Sequence, residues 1–389
     1  MTALDLADYD ITAERGFLSS FDSAHTVLPA ELHPARDLAM ALPRIIVTGE
    51  ARQHIEALPF IDLADFCASA SLAQRRLAMV HYSFLVQAYV WGEPEPPKAL
   101  PKCIALPIWQ LGNAIGQPPL LTYSSYVLDN WGRIDDSGPI DLSNIYMIQP
   151  FQSGQDEAWF VLVHVAIEAR AGEMLASIPA LVEACKSGDT ATLESGLSAM
   201  SAVWDDMNDI FGRMTDRCDP YIYFHRVRPW IHGWKDNPAL EKGMIYEGVM
   251  ETGGEPQAFR GQTGSQSSIV PSMDAFLGID HAGDPLRTYL DQLHIYRPPE
   301  HRQFIDDIRA NSVLRPFVTS AGSPILNELY NICVQNLTRF RTRHLEYAAS
   351  YINKQSKGGA GNVSDVGTGG TPFMKYLKKH RDEAAAHML

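Results

Sequence analysis

The clearest structural signal in the sequence is SPILNELYNICVQNLTRFRTRHLEYAASY, residues 323–351. Serine followed by proline is a common N-cap and first-position pair, so we predict a helix that begins at Ser323–Pro324. Hydrophobic side chains then recur every three or four residues, which places them on one face of that helix. One histidine shares this interior face. The face comprises Leu326, Leu329, Cys333, Leu337, Phe340, His344, Tyr347 and Tyr351.

Two further segments have apolar residues at helical spacing, whereas the alternation of apolar and polar residues that is typical of strands is scarce. Apolar positions from residue 193 to residue 214 recur at steps of three or four, and we predict that Asp189 opens this helix. Another helix is expected to begin in the acidic turn 155–157 and to be interrupted at Pro179. These patterns together predict an all-α fold.

The chain has 389 residues, which is enough for two domains because a single core stops growing near ~250–300 residues. Residues 130–157 are rich in Gly, Pro, Ser and Asp and lack periodicity, so we interpret them as an interdomain connection. We predict a smaller, mostly helical N-terminal domain over 1–150 and a large helical domain over 151–389. Six glycines lie between residues 356 and 371, and they predict a mobile loop of the kind that can serve as a lid.

Charge and composition argue against several classes of partner. The net charge of −14 disfavours nucleic acid and anionic membranes, which are bound through basic clusters. The acidic start of the chain lacks the pattern of a secretory signal, and no apolar run approaches the length of a membrane span. Five cysteines without CxxC spacing indicate neither a disulfide framework nor a thiolate metal site. We therefore expect a soluble, cytoplasmic protein.

His344 is the candidate for chemistry, and from the residues alone two interpretations remain open. A histidine among apolar side chains is either a core residue bonded to a carbonyl or a ligand of haem iron. Arg341 and Arg343 precede it and would suit the haem propionates, although either is equally typical of a solvated surface. A zinc enzyme or a serine hydrolase is disfavoured because the sequence has no HExxH or GxSxG motif.

An ordered series of motifs over roughly residues 80–380 resembles the indoleamine 2,3-dioxygenase family and points to a bacterial-type member. The glycine-rich and serine-rich loop FRGQTGSQSS is followed by a helix that contains MDAFLG. The motifs are PPLLTY at 118–123, VLDNW at 127–131, GWKDNP at 233–238, YEG at 246–248, FRGQTGSQSS at 259–268, MDAFLG at 273–278, YRPPEHR at 296–302, RTRHL at 341–345 and GTGGT at 367–371.

The resemblance implies a haem b site in the large domain, with the small domain capping the distal pocket. His344 matches the proximal ligand of the iron. Arg341 matches the arginine that meets a haem propionate, and Asp274 the carboxylate that pairs with it. Thr263 and Gly264 match residues that approach the distal face of the haem, and Thr263 is thereby a candidate catalytic residue.

The same resemblance implies a pocket for an amino acid that carries an indole ring. Arg228 matches the arginine that clamps the substrate carboxylate, and Thr371 a loop residue that holds the amino-acid end. Without the resemblance, Arg228 would be read as a surface salt-bridge residue and the loop as a connector. Residues expected to line the substrate pocket are Tyr123, Tyr126, Phe160, Tyr223, Ile231 and Gly264, of which the aromatic ones would otherwise be plain core residues.

Three positions depart from the pattern of the family. His164 lies where the better-known vertebrate members have serine, while the related tryptophan 2,3-dioxygenases place a histidine in the equivalent distal position. A distal imidazole there is either an acceptor for the indole N–H or a histidine turned away from the pocket. Tyr126 replaces a small residue and Gln262 a glycine, so the substrate itself is left open.

The resemblance therefore implies an enzyme that uses haem and O2 to cleave the C2–C3 bond of L-tryptophan or a related indole, giving an N-formylkynurenine-type product. It implies an electron donor of unidentified nature and a monomer or weak homo-oligomer. Two alternatives remain at this point: monooxygenation of a substituted indole, and a non-catalytic protein that binds haem and O2.

Overall fold

Helices dominate the protein, as the periodicity predicted. The computed structural model describes residues 4–281, 285–355 and 373–389. Its α-helices are α1 (His33–Ile45), α2 (Ala51–Glu56), α3 (Ala64–Ser69), α4 (Leu72–Trp91), α5 (Lys102–Ile115), α6 (Gln155–Arg170), α7 (Gly172–Ser187), α8 (Thr190–Gly212), α9 (Met214–Arg217), α10 (Pro220–Ile222), α11 (Ile269–Leu277), α12 (Pro285–His294), α13 (Pro299–Asn311), α14 (Leu314–Ala321), α15 (Pro324–Ala348) and α16 (Phe373–Ala385). The prediction of an all-α fold is confirmed.

Shorter turns and strands connect these helices. Single π turns lie at Ser124–Leu128, Tyr223–Val227 and Ala349–Asn353. Turns of 3-10 helix lie at Leu6–Tyr9, Ser23–His25, Ala30–Leu32, Ile46–Thr48, Arg228–Ile231, Pro238–Leu240, Met250–Thr252 and Gly264–Gln266. The strands are β1 (Ala99–Leu100), β2 (Trp131–Arg133), β3 (Ile145–Met147) and β4 (Ile245–Tyr246). β1 pairs with β4 in parallel and β2 with β3 antiparallel, so they form two small ribbons and no sheet layer.

Helix α15 begins where the sequence predicted. The Ser323 hydroxyl accepts a hydrogen bond from the Leu326 N–H at 3.4 Å, and Pro324 occupies the first helical position. The helix packs against α8 on one side and α16 on the other. Half of its predicted interior face is buried and the rest is partly buried, so the packing directs the last turns of α15, which carry His344, toward the interior.

The break predicted at Pro179 is wrong, because the chain interrupts its helix earlier. α6 ends at Arg170 and α7 starts at Gly172, while Pro179 lies inside α7. Gly172 packs closely on the N-terminal segment: a Cβ at this position would lie 2.5 Å from the carbonyl oxygen of Ala13. This close approach of two backbones requires glycine and fixes the turn, whereas a proline within a helix removes only one main-chain hydrogen bond.

Buried apolar side chains form two clusters that meet along α6. The first cluster fills the space among α1, α4 and α5 and also takes in Trp234 and Tyr246 from later in the chain. The second lies among α7, α8, α11, α13 and α15. Val161 of α6 belongs to the first cluster and Val163 to the second. The division into domains at residue 150 stays a prediction.

Within the described ranges, none of the helices combines the length and the apolar character that crossing a bilayer requires.

Candidate functional site

A cavity of about 320 Å³ lies where α6, α11 and α15 converge, with α12, α13 and α16 completing its walls. Much of its lining is apolar, including Ile167, Phe211 and Val270. The structure brings six of the predicted site residues to this cavity. They are Tyr123, His164, Gly264, Asp274, Arg341 and His344.

The other predicted residues are not part of the cavity lining. Thr371 and the glycine-rich loop predicted at 356–371 lie outside the described residues. Thr263 caps the 3-10 turn Gly264–Gln266, where its hydroxyl accepts a hydrogen bond from the Ser265 N–H at 3.4 Å. The remaining residues lie behind the lining or beside it: Tyr126, Phe160, Tyr223, Arg228 and Ile231.

His344 presents a neutral imidazole to the cavity. Burial, with a smaller contribution from the neighbouring His164, lowers its pKa to about 4. No hydrogen bond reaches its ring from any residue that the structure describes. The Phe211 ring lies 6.4 Å away between centroids and stacks on Phe340 at 4.8 Å. A carbonyl-bonded core histidine is thus not what the described residues form, and the neutral ring is the state that binds a metal.

His164 lies on α6, and its tautomer follows from its contacts. The ring is neutral because burial lowers its pKa, although a bond to the backbone opposes this. Nδ1 lies 2.7 Å from the carbonyl oxygen of Phe160, which only accepts, so Nδ1 carries the proton. Nε2 is therefore left with a lone pair. The side chain lines the cavity, packed at 6.1 Å from the Tyr123 ring.

Arg341 and Asp274 form a buried ion pair at the cavity wall. Nη2 of Arg341 donates to the Asp274 carboxylate at 2.6 Å. Burial alone would raise the pKa of Asp274, but Arg341 and His281 together lower it to about 2. The predicted pairing of these two residues is thus present, with His281 as an additional partner at 3.1 Å.

Arg228 is wholly buried, and aromatic rings connect it to the cavity. Its exposed fraction is 0%, and its guanidinium carbon lies 5.6 Å from the Phe224 ring. Burial lowers its pKa to about 10, which still leaves it cationic at neutral pH. Arg228 is also close enough to Tyr223 for each group to shift the pKa of the other. Tyr223 packs on Phe160 at 4.8 Å and Phe160 on His164 at 4.7 Å. A surface salt bridge, the alternative for Arg228, is excluded by this burial.

Sequence reasoning missed Glu168, one helical turn after His164. Its carboxyl oxygen Oε1 accepts hydrogen bonds from the hydroxyls of Tyr123 at 2.9 Å and Ser267 at 2.7 Å. Burial raises its pKa to about 7 despite these bonds. Glu168 therefore connects α6 to the loop over residues 263–268. The four-residue spacing from His164 within an apolar run is a signal that could have indicated it.

The same loop is held from its other side by Arg297, within the YRPPEHR motif. Its guanidinium donates to the carbonyl oxygens of Ser265 at 2.8 Å and Ser267 at 3.3 Å. The loop is thus held between the carboxyl group of Glu168 and the guanidinium of Arg297.

Comparison with known proteins agrees with this geometry. The family model described as indoleamine 2,3-dioxygenase matches residues 5–387. The chain belongs to the indoleamine 2,3-dioxygenase family. Indoleamine 2,3-dioxygenase 1 of Rattus norvegicus is 33% identical over 397 residues, covering 99% of this chain and 96% of that protein. Indoleamine 2,3-dioxygenase 2 of Homo sapiens is 33% identical over 402 residues, with the same two coverages.

Membership of the indoleamine 2,3-dioxygenase family confirms the resemblance and the prediction of a haem-dependent dioxygenase. One relative carries a different name: a protein called myoglobin from Haliotis diversicolor is 28% identical over 389 residues, covering 98% of each chain. The named enzymes are the more similar ones, so the non-catalytic alternative gains only weak support.

Proposed function

We propose that this protein binds haem b through His344 and cleaves the C2–C3 bond of L-tryptophan or a related indole with O2, giving an N-formylkynurenine-type product. The observation that carries the proposal is the neutral imidazole of His344, which takes no hydrogen bond from the described residues and lines the same mostly apolar cavity as His164. Membership of the indoleamine 2,3-dioxygenase family supports it.

The residues present fit a haem group. His344 would bind the iron, Phe211 and Val270 would contact the macrocycle, and Arg341 would meet a propionate. Nη1 of Arg341 is buried and has no partner among the described residues, as expected of a donor that serves a bound anion. Bound haem supplies ferrous iron as the site of O2 activation, and the indole supplies the electrons for ring cleavage.

The protein's own contribution is the placement of the substrate. Arg228 would hold the carboxylate, because a planar guanidinium binds it through two parallel hydrogen bonds. Phe160 and Tyr223, already packed together, would contact the indole ring, with Tyr126 and Ile231 behind them. Thr371 is proposed to help hold the amino-acid end of the substrate, and Thr263 to approach the distal face of the haem. Apolar walls exclude water from the reacting atoms.

His164 is proposed to orient the indole. With the proton on Nδ1, its Nε2 accepts a hydrogen bond from the indole N–H. His164→Ser should lower kcat/KM for L-tryptophan by about tenfold, the value of one hydrogen bond, while the haem spectrum persists. Tryptophan methylated on the indole nitrogen lacks the indole N–H, so its kcat/KM should differ little between wild type and His164→Ser. An equal loss for both substrates would remove His164 from this role.

Turnover under 18O2 tests the proposed reaction. We expect a ring-opened product of L-tryptophan that carries two labelled oxygen atoms, as identified by mass spectrometry. A product with one labelled atom would replace dioxygenation with the monooxygenase alternative. Stable O2 binding without consumption of L-tryptophan or simple indoles would favour the non-catalytic alternative, represented among the relatives by the Haliotis protein.

Three further features belong to the same proposal. An external electron donor keeps the iron ferrous, the protein acts as a monomer or weak homo-oligomer, and it resides in the cytoplasm. The net charge of −14 and the five free cysteines are in keeping with a cytoplasmic location without nucleic-acid or membrane partners.

A further inference from the structure

A chain of charged groups leads from the cavity to the C-terminal helix α16. Asp274, bonded to Arg341, also accepts a hydrogen bond from Nε2 of His281 at 3.1 Å. The opposite nitrogen of His281 lies 2.7 Å from the carboxylate of Glu383, which belongs to α16. The His380 ring, also on α16, packs against His281 with 4.6 Å between centroids. This cluster was not predicted, because the charged composition of α16 is typical of a surface helix.

Two nitrogen atoms at the cavity wall lack a partner among the described residues. They are Nη1 of Arg341 and Nε2 of His380, and both atoms are buried. Both side chains also line the cavity that His344 faces. A buried polar atom without a partner calls for a bound group that satisfies it. Because both side chains line one cavity, a single acceptor bound there could serve both nitrogens.

The charges around these atoms favour an anion. Arg341 and His281 both approach the single carboxylate of Asp274, while Glu383 is also paired with Lys379 at 3.4 Å. Burial opposes protonation of His281, but Asp274 raises its pKa on balance, so the cationic form is favoured. With His281 protonated, this cluster holds three cations and two carboxylates, so a bound carboxylate would balance its charge.

We propose that Arg341 and His380 bind one haem propionate together, so that the C-terminal helix α16 contributes a haem contact of its own. The inference rests on the proposed binding of haem through His344. Arg341 precedes His344 by three residues on α15, so its guanidinium lies on the same side of the helix as the iron ligand. His380 then donates its Nε2–H to the carboxylate beside the guanidinium, and α16 is fixed to α15 through the cofactor.

A divalent metal is the competing occupant. His281, His380 and Glu383 place three ligand atoms within 4.8 Å of one another. However, both nitrogens of His281 already lie at hydrogen-bond distance from a carboxylate, and Arg341 and Lys379 would repel a second cation. The same observations therefore favour an anion over a metal.

Haem loss from the ferric protein to excess apomyoglobin, followed by absorbance, tests the propionate contact. We expect His380→Phe to lose haem at least about tenfold faster than wild type, because a hydrogen bond to a charged group is lost. His380→Gln keeps an N–H near the same position and should restore slow loss. Protohaem dimethyl ester, whose propionates are neutral, should leave wild type and His380→Phe with equal rates.

The outcomes separate this inference from the proposed function. Equal rates of haem loss from wild type and His380→Phe would overturn the propionate contact. A difference between the two rates that persists with the dimethyl ester would overturn it too, because altered packing would then be the cause. Zn²⁺ retained by the haem-loaded wild type and lost from His380→Phe would overturn it in favour of a metal site. A wild-type protein that takes up no haem would overturn both proposals.

Discussion

His344→Ala should leave the protein unable to retain haem. Alanine removes the only ligand proposed for the iron, and the apolar contacts that remain hold the macrocycle without fixing the metal. We expect the Soret absorbance per protein after desalting to fall by at least about tenfold relative to wild type. The substitution should be tolerated by the fold, because the ring of His344 makes no hydrogen bond with the described residues.

The matched control is His164→Ala, which removes another imidazole from the same cavity. This variant should keep the Soret band, since His164 is proposed to contact the substrate and not the iron. Free imidazole added to His344→Ala should restore part of the band by occupying the space left by the side chain. Full haem retention in His344→Ala, or loss of haem from His164→Ala alone, would contradict the assignment of the iron ligand.

His344 was predictable because its signal is periodic. The N-cap at Ser323 and the apolar face of α15 determine which way a side chain 21 residues later points, and the helix continues without a break to that position. The pair formed by Arg341 and Asp274 was predicted from the resemblance of the motifs to the family. The two residues lie 67 positions apart, so helical periodicity does not predict their contact.

Other features of the site depend on tertiary packing that sequence patterns do not contain. The break between α6 and α7 follows from the contact of Gly172 with the N-terminal segment, so the proline that seemed the stronger signal was misleading. His380 lies among lysine, arginine and acidic residues, a composition typical of a solvated helix face. Only the docking of α16 on α15 brings it to the cavity wall.

Arg228→Ala should raise KM for L-tryptophan by about 100-fold while leaving the haem spectrum largely intact, because a bidentate charge-assisted pair is lost from the proposed substrate site. Arg228 is wholly buried, and its position behind Phe160 and Tyr223 is the far end of the aromatic path from His164. Keeping a cation there is costly, since burial lowers its pKa. A bound carboxylate offsets that cost in the complex.

Tryptamine as a substrate distinguishes two roles for Arg228, binding of the substrate carboxylate and structural support of the pocket. It has the indole and the ammonium of tryptophan but no carboxylate, so its KM should be nearly equal in wild type and Arg228→Ala. Arg228→Lys keeps the charge without the planar pair of donors and should fall between wild type and Arg228→Ala for L-tryptophan. If Arg228→Ala instead impairs both substrates alike, or lowers haem content, the residue supports the pocket and the carboxylate is held elsewhere.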